Sequence, residues 1–436
     1  MTTTEHPRIA WKRGKSRVLH GDCLDELKRL PDHSVDSIVT DPPYGLSTLR
    51  PDAVADVITR WASGERDYMP QTRGFMGRSW DGFVPPPAVW DECLRVLKPG
   101  GHMAVFAGAR TVDLMGISIR LAGFEIRDTL GWLYGSGFLK SINVGRAVEE
   151  VEAKGNRVPT GGRDKGIIST ELTDDERRFC DWIRDHGGLT VQQQSREGDG
   201  PWAGWGTALK PAIEPIILAR KPLVHSTVAA NVLEHGTGAI NTDACRVGSA
   251  ARPIAKSTGE VASQSTSMSG PNTRREVIGQ VEGRFPANVI IDEHAAAVID
   301  QQSGTSKSRR AVLTSTPGGV YANGKGLPSH TGVYGHDDEG GASRFFYCAK
   351  ASKRERPTAP DGTKHPTVKP LSLITWLLKL ITPPGGVVLD PFGGSGTTAE
   401  AALLQCIPFV TIERDPAYIP LILSRLERST PAKKSA

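Results

Sequence analysis

No two of the six cysteines in this 436-residue chain stand at CxxC spacing; Cys23, Cys93, Cys180, Cys245, Cys348 and Cys406 are scattered along it. That excludes a disulfide framework and a zinc-ribbon site, and leaves reduced, partly buried thiols of the kind cytosolic proteins carry. The histidines around His330 and His336 have no paired cluster beside them, so that stretch reads as loop and no metal is expected. No apolar run approaches membrane-spanning length, and the charged N-terminus has no apolar segment behind it, which points to a soluble, cytoplasmic protein without a membrane partner. Internal repeats are also missing. What remains is a chain long enough to bury a sizeable core, in two or three domains by length. Its formal charge of +5 permits a polyanionic partner without demanding one.

Against that background one stretch stands out, Val35-Asp36-Ser37-Ile38-Val39-Thr40-Asp41-Pro42-Pro43-Tyr44. Val35 to Val39 is β-branched and too short for a helix, so it reads as a buried strand. The two prolines end the ladder because neither can donate a backbone N–H. In an open α/β sheet, the carboxyl end of such a strand is where ligands bind. Here that end carries a carboxylate, prolyl carbonyls and an aromatic ring. Those groups suit the grip of a flat, amino-bearing base. Its exocyclic nitrogen is a poor nucleophile, and acceptors on both of its hydrogens favour a pyramidal nitrogen with an aimed lone pair. Asp41 Oδ and the Pro42 carbonyl can be those acceptors, with Tyr44 stacked on the ring. A plain Asp-Pro-Pro turn is the competing reading of the tetrapeptide alone.

Along the chain, Arg17 to His20 reads as a strand, Leu24, Leu27 and Leu30 as a helix stopped by Pro31, and Gly45 to Pro87 as irregular. A helix is expected over Trp90 to Leu97, a strand over Met103 to Ala107, a helix over Leu114 to Leu121, and one or two strands over Phe124 to Tyr134. From Ala147 to Lys364 the pattern breaks into Gly-, Ser-, Thr- and Arg-rich segments. Ile213 to Ala219 and Val289 to Ile291 read as strands there, and Ser249 to Glu282 and Ser303 to Gly341 as mobile loops. Order returns with an apolar helix over Leu371 to Ile381, strand Val387 to Leu389, helix Ala399 to Gln405, strand Phe409 to Ile412 and a last helix from Pro416 to Leu426.

The second motif lies in this last part. Strand Val387 to Leu389 opens onto Asp390-Pro391-Phe392-Gly393-Gly394-Ser395-Gly396-Thr397-Thr398, then a helix, a strand, and Glu413. Glycines let backbone approach a ligand, and an acidic residue about 20 positions on accepts ribose hydroxyls. The turn is neither a GxGxxG fingerprint nor a Walker loop, since no Gly-Lys-Ser/Thr follows. This is the nucleotide-binding half of a doubly wound fold.

Asp390 to Thr397 resembles the S-adenosylmethionine motif of amino-group DNA methyltransferases, and Asp41-Pro42-Pro43-Tyr44 resembles their catalytic motif. The order, with the catalytic motif first and the cofactor motif after a long variable region, resembles the β group of that N6-adenine/N4-cytosine family. Gly21-Asp22, Leu97 to Gly101 and His365-Pro366-Thr367-Val368-Lys369-Pro370 extend the match, and Gly204 to Pro211 and Arg344 to Lys350 are similar to phage and prophage members. The resemblance implies an α/β, Rossmann-like S-adenosylmethionine-dependent methyltransferase fold with a mostly parallel doubly wound sheet. Residues 1–146 would be its catalytic half, 147–364 a target-recognition insertion, 365–428 its cofactor-binding half and 429–436 a disordered tail. The two motif strands would lie side by side.

By the same resemblance Asp390 meets the methionine ammonium, and Pro391, Phe392, Gly393, Gly394, Ser395, Gly396 and Thr397 line the cofactor. Glu413 holds the ribose, Asp22 the adenine end, and Thr367 and Lys369 the methionine carboxylate. Asp41, Pro42, Pro43 and Tyr44 carry the catalytic roles, and Trp132 and Tyr134 are candidates for the far wall of the base pocket. The substrate implied is double-stranded DNA with a flipped base. Adenine N6 is the expected target because Asp heads the tetrapeptide, with cytosine N4 as the alternative. RNA or protein-amide methylation is a more distant alternative, and a catalytically dead DNA-binding relative a third. A cognate restriction enzyme, or none, and a homodimer are left open.

Overall fold

The computed structural model describes residues 8–47, 50–72, 81–135, 141–154, 200–258, 274–308, 311–313, 332–334, 338–349, 358, 362, 365 and 367–429. Its centre is a ten-stranded sheet in the order β1-β2-β16-β15-β3-β4-β6-β5-β9-β14. The strands are β1 (Arg8–Arg13), β2 (Ser16–His20), β3 (Val35–Thr40), β4 (Leu97–Phe106), β5 (Glu125–Leu133), β6 (Ile213–Arg220), β9 (Val289–Asp292), β14 (Tyr347–Ala349), β15 (Val388–Asp390) and β16 (Phe409–Glu413). Strands β2, β16, β15, β3 and β4 run parallel, β1 closes one side antiparallel to β2, and β6 lies antiparallel to β4.

The parallel centre forms because its strands are buried on both faces, and their sequences have the matching near-continuous apolar character. All six residues of β3 are buried, Asp36 among them, and that carboxylate is satisfied by Lys98 Nζ at 2.6 Å and the Val387 amide at 2.7 Å. The strongly apolar helix Leu371–Ile381 buries seven residues, and Trp61, Trp90, Met103, Leu389 and Ile412 join one continuous core. The expected neighbours are confirmed: Val388 pairs with Ser37 and Leu389 with Ile38, bringing strands some 350 positions apart in the chain into direct parallel contact.

Three regions differ from the sequence expectation. Gly45 to Pro87 is not irregular throughout, because Pro51–Ala62 is a helix with Val57 and Trp61 buried. Ser249 to Glu282 is not simply loop: its described residues belong to a long antiparallel hairpin, β7 (Val247–Thr258) with β8 (Arg274–Arg284). Within Ser303 to Gly341 short strands pair, β10 (Ser306–Ser308) with β13 (Asp338–Gly340) and β11 (Ala311–Leu313) with β12 (Gly332–Tyr334). Backbone hydrogen bonding compensates for sparse aliphatic side chains in the two paired-strand regions. His330, His336 and Cys180 lie outside the described residues. The five cysteines that are described are free, and no helix among the described residues is long and apolar enough to cross a membrane.

Contacts divide the chain into two compact units. The larger holds the sheet, and the smaller is Leu133–Ile213 with Asp292–Ala295. Within the smaller unit, the Tyr134 amide donates to the Ala212 carbonyl at 3.0 Å, and the Asp292 carboxylate accepts the Gly135 amide.

Candidate active site

The two motifs meet at the carboxyl ends of β3 and β15. Asp390 ends β15, and its Oδ1 accepts the hydroxyl of Thr40, the last residue of β3, at 2.7 Å. This single buried hydrogen bond ties the Asp-Pro-Pro-Tyr segment to the glycine turn. Asp390 also accepts the Phe392 amide at 3.2 Å. Burial pushes its carboxyl up to about 6, against the pull of the Thr40 and Phe392 hydrogen bonds.

The glycine turn folds back onto β16. The Gly393 amide donates to the Ile412 carbonyl at 2.7 Å, and the Gly394 amide to Glu413 Oε2 at 2.7 Å. Glu413 Oε1 accepts the Asp415 amide at 2.6 Å. Burial raises the Glu413 carboxyl to about 7, although both amides favour its ionised form. A Cβ on Gly393 would lie 2.5 Å from Thr411 Cγ2, and Gly394 and Gly396 have φ of +49° and +78°. Glycine is therefore required here by space and by backbone geometry. Behind the turn, helix Thr397–Leu404 is held by Glu400, which pairs with the fully buried Arg425 and with Arg428 at 2.8 Å. Pro391 is buried, Phe392 packs on Trp90 at 6.3 Å, and the Ser395 and Thr397 hydroxyls lie 3.0 Å apart.

On the β3 side the backbone after Pro43 is clamped. Asp81, buried, accepts the amides of Tyr44 and Gly45 at 2.9 and 3.0 Å, and the Thr111 hydroxyl donates to the Tyr44 carbonyl at 2.6 Å. The Asp41 carboxylate receives two donors, Tyr44 OH on Oδ1 at 2.8 Å and Lys369 Nζ on Oδ2 at 2.6 Å. A further carboxylate, Glu214 at the start of β6, lies 2.9 Å from Tyr44 OH and 3.2 Å from Lys369 Nζ. Burial works against the Lys369 charge, but Asp41 and Glu214 outweigh it and hold the ammonium above its ordinary range. Burial raises the Tyr44 phenol, and the same two carboxylates push it further.

The sequence-derived residues fall into groups. Asp390 to Thr397 and Glu413 form one cradle, with Asp41, Pro42, Pro43 and Tyr44 beside it. Lys369, assigned by resemblance to a methionine carboxylate, is paired with Asp41 and Glu214, the carboxylates nearest its buried ammonium. Asp22 caps helix Cys23–Lys28 through the Leu24 amide at 3.0 Å, next to Glu413, whose carbonyl accepts the Gly21 amide at 3.0 Å. Thr367 is exposed, and its carbonyl is within hydrogen-bond reach of His365. Trp132 is buried within β5, three strands from β3 in sheet order, and Tyr134 belongs to the smaller unit. Thr40, Asp81, Glu214 and His365, whose ring lies 3.2 Å from a Cβ placed on Gly394, had not been singled out. His365 belongs to a motif already noted, whereas nothing in the sequence around Glu214 marks it.

A largely parallel sheet whose neighbouring strands end in a glycine cradle and an Asp-Pro-Pro-Tyr corner defines a Rossmann-like α/β fold. Residues 256–424 match the family model described as DNA methylase. The Type II methyltransferase M.HindIII of Haemophilus influenzae is 20% identical over 425 residues, covering 94% of each chain. The Type II methyltransferase M.BamHI of Bacillus amyloliquefaciens is 32% identical over 91 residues, 21% of this chain and 17% of that protein. Among solved structures, the cytosine-N4-specific PvuII DNA methyltransferase matches 96% of this chain and 89% of its own at 13% identity, TM-score 0.41. The M1.HpyAVI–SAM complex matches 94% and 98% at 14% identity, TM-score 0.34. The chain is thus similar to DNA methyltransferases of the N6/N4 family, with the family match falling on residues 256–424.

Proposed function

We propose that this protein transfers a methyl group from S-adenosylmethionine to adenine N6 in double-stranded DNA, acting on a base turned out of the helix. The observation that carries the reading is the Thr40–Asp390 hydrogen bond, which fixes the base-gripping corner against the cofactor cradle. The cradle suits that cofactor. Two buried carboxylates at adjacent strand ends, Asp390 and Glu413, match an ammonium and a ribose diol, and glycines stand where a Cβ has no room. The bound cofactor supplies an electrophilic methyl on a sulfonium.

The chain's own residues do the rest. Asp41 and the Pro42 carbonyl accept the two amino hydrogens, so that the nitrogen lone pair is aimed and positive charge developing on nitrogen is stabilised. The Tyr44 ring stacks on the base, its backbone fixed by Asp81 and Thr111. Proton transfer has little to contribute before the bond forms, so positioning supplies most of the acceleration. The segments between 147 and 364 read the DNA sequence, with basic side chains on phosphates making binding fall with salt.

Nucleosides from DNA methylated by the protein, separated by mass spectrometry, test the reading. N6-methyladenine is expected. N4-methylcytosine alone would overturn the choice of base, and neither product would overturn the activity.

A further inference from the structure

Resting on that reading, we infer that Glu214 is a positioning residue for Asp41: it is the second acceptor onto which Tyr44 OH and Lys369 turn when Asp41 engages the amino group of the target base. The argument begins with donors and acceptors. A phenol has one hydrogen, yet Tyr44 OH lies 2.8 Å from Asp41 Oδ1 and 2.9 Å from Glu214 Oε2, so it serves one carboxylate at a time. Lys369 Nζ is similarly shared, 2.6 Å from Asp41 Oδ2 and 3.2 Å from Glu214 Oε2. With both donors on Asp41, each of its oxygens is already engaged and is a weakened acceptor for an amino hydrogen.

Lys369 cannot simply be released. Its side chain is 8% exposed, and a buried ammonium without a partner is strongly unfavourable. Glu214 removes the conflict, since a small shift keeps Lys369 paired and the phenol bonded while Asp41 regains its lone pairs. The sheet explains why this residue is in reach. Because β6 runs antiparallel to β4, its first residues arrive at the carboxyl end of the parallel strands, where Asp41 also lies.

Glu214→Gln keeps the shape and removes the charge that draws Lys369 away. The expected result is a loss of kcat of about tenfold or more, with DNA and cofactor affinities and the melting temperature close to wild type. Glu214→Asp should recover part of the loss. Adding Lys369→Met to Glu214→Gln should cost less than the two single losses combined, since the residue that Glu214 draws off is then absent. An unchanged kcat in Glu214→Gln, a loss confined to KM or melting temperature, or strictly additive effects would overturn the proposal. A wild-type chain that methylates no DNA would instead overturn the function on which it rests.

Discussion

Two kinds of carboxylate stand at the carboxyl ends of neighbouring strands. Asp390 and Glu413, on the glycine-turn side, are buried with only hydroxyl and amide donors around them, and both are pushed towards neutrality. Asp41, an adjoining strand away, has a lysine ammonium at 2.6 Å and is more open. The difference fits the partners each would meet. A cationic ligand supplies its own charge to Asp390, so the protein need not provide one. On the proposed reading a neutral base supplies none, and the protein sets the Lys369 ammonium, shared with Glu214, beside Asp41.

The sharpest way to break this comparison is Asp41→Ala. It should lower kcat by about 10²–10³-fold while cofactor and DNA binding persist, because the lost acceptor acts in the transition state. Single-turnover methylation beside equilibrium binding measures it, and a parallel loss of cofactor affinity would erase the distinction between the two sides. Gly394→Val attacks the other side. A branched side chain at φ +49° faces strain on the order of 1–3 kcal/mol and crowds His365. Cofactor affinity should fall about tenfold or more by calorimetry, in a protein that circular dichroism shows to be folded.

Glu413 binds its proton more tightly folded (about 7) than unfolded (4.5), and Asp390 likewise (about 6 against 3.8). The folded chain thus holds more protons in this range, and the ligand-free protein should lose stability as pH rises from about 4 to 7. For Glu413 the loss is on the order of 3 kcal/mol. Cofactor affinity should rise over the same interval, since an ammonium and hydroxyl donors favour ionised acceptors. Glu413→Gln should flatten its share of the fall in a thermal-melt series; an unchanged slope would show that burial leaves this carboxyl ordinary. The smallest effect is expected from Tyr44→Phe, which keeps the ring and loses one hydrogen bond, a loss in kcat below about tenfold.

The sequence made the glycine turn and its flanking elements legible, because local chemistry dictates them: glycines where no Cβ fits, and acidic residues at strand ends. β3 and β15 could be paired from their motifs alone. Glu214 could not be found that way. Its approach to Asp41 depends on an antiparallel strand entering the sheet beside β4, and the Ile213 to Ala219 run carries no mark of its direction. Helix Pro51–Ala62 was hidden by neighbouring Gly, Arg and Trp, although Pro51 at its first turn and the Val54, Val57, Trp61 spacing are helical signals. The Pro99-Gly100-Gly101 segment reads as a turn, yet it lies inside β4, where the register against β3 jumps from Leu97 to His102. Hairpin β7–β8 escaped because polar strands lack the apolar alternation by which strands are recognised.

The seating of β15 between β16 and β3 has a consequence for the birth of the molecule. During synthesis β3 emerges early, but the strand that flanks it on this side is among the last made. Until then one edge of a strand destined for full burial has no hydrogen-bonding neighbour, a state prone to pairing with other chains. Closing so long a loop also makes this pairing a slow step. The juxtaposition of the two motifs therefore exists only in a chain whose C-terminal strands have been delivered, and a truncated product would be inert and sticky rather than partially active.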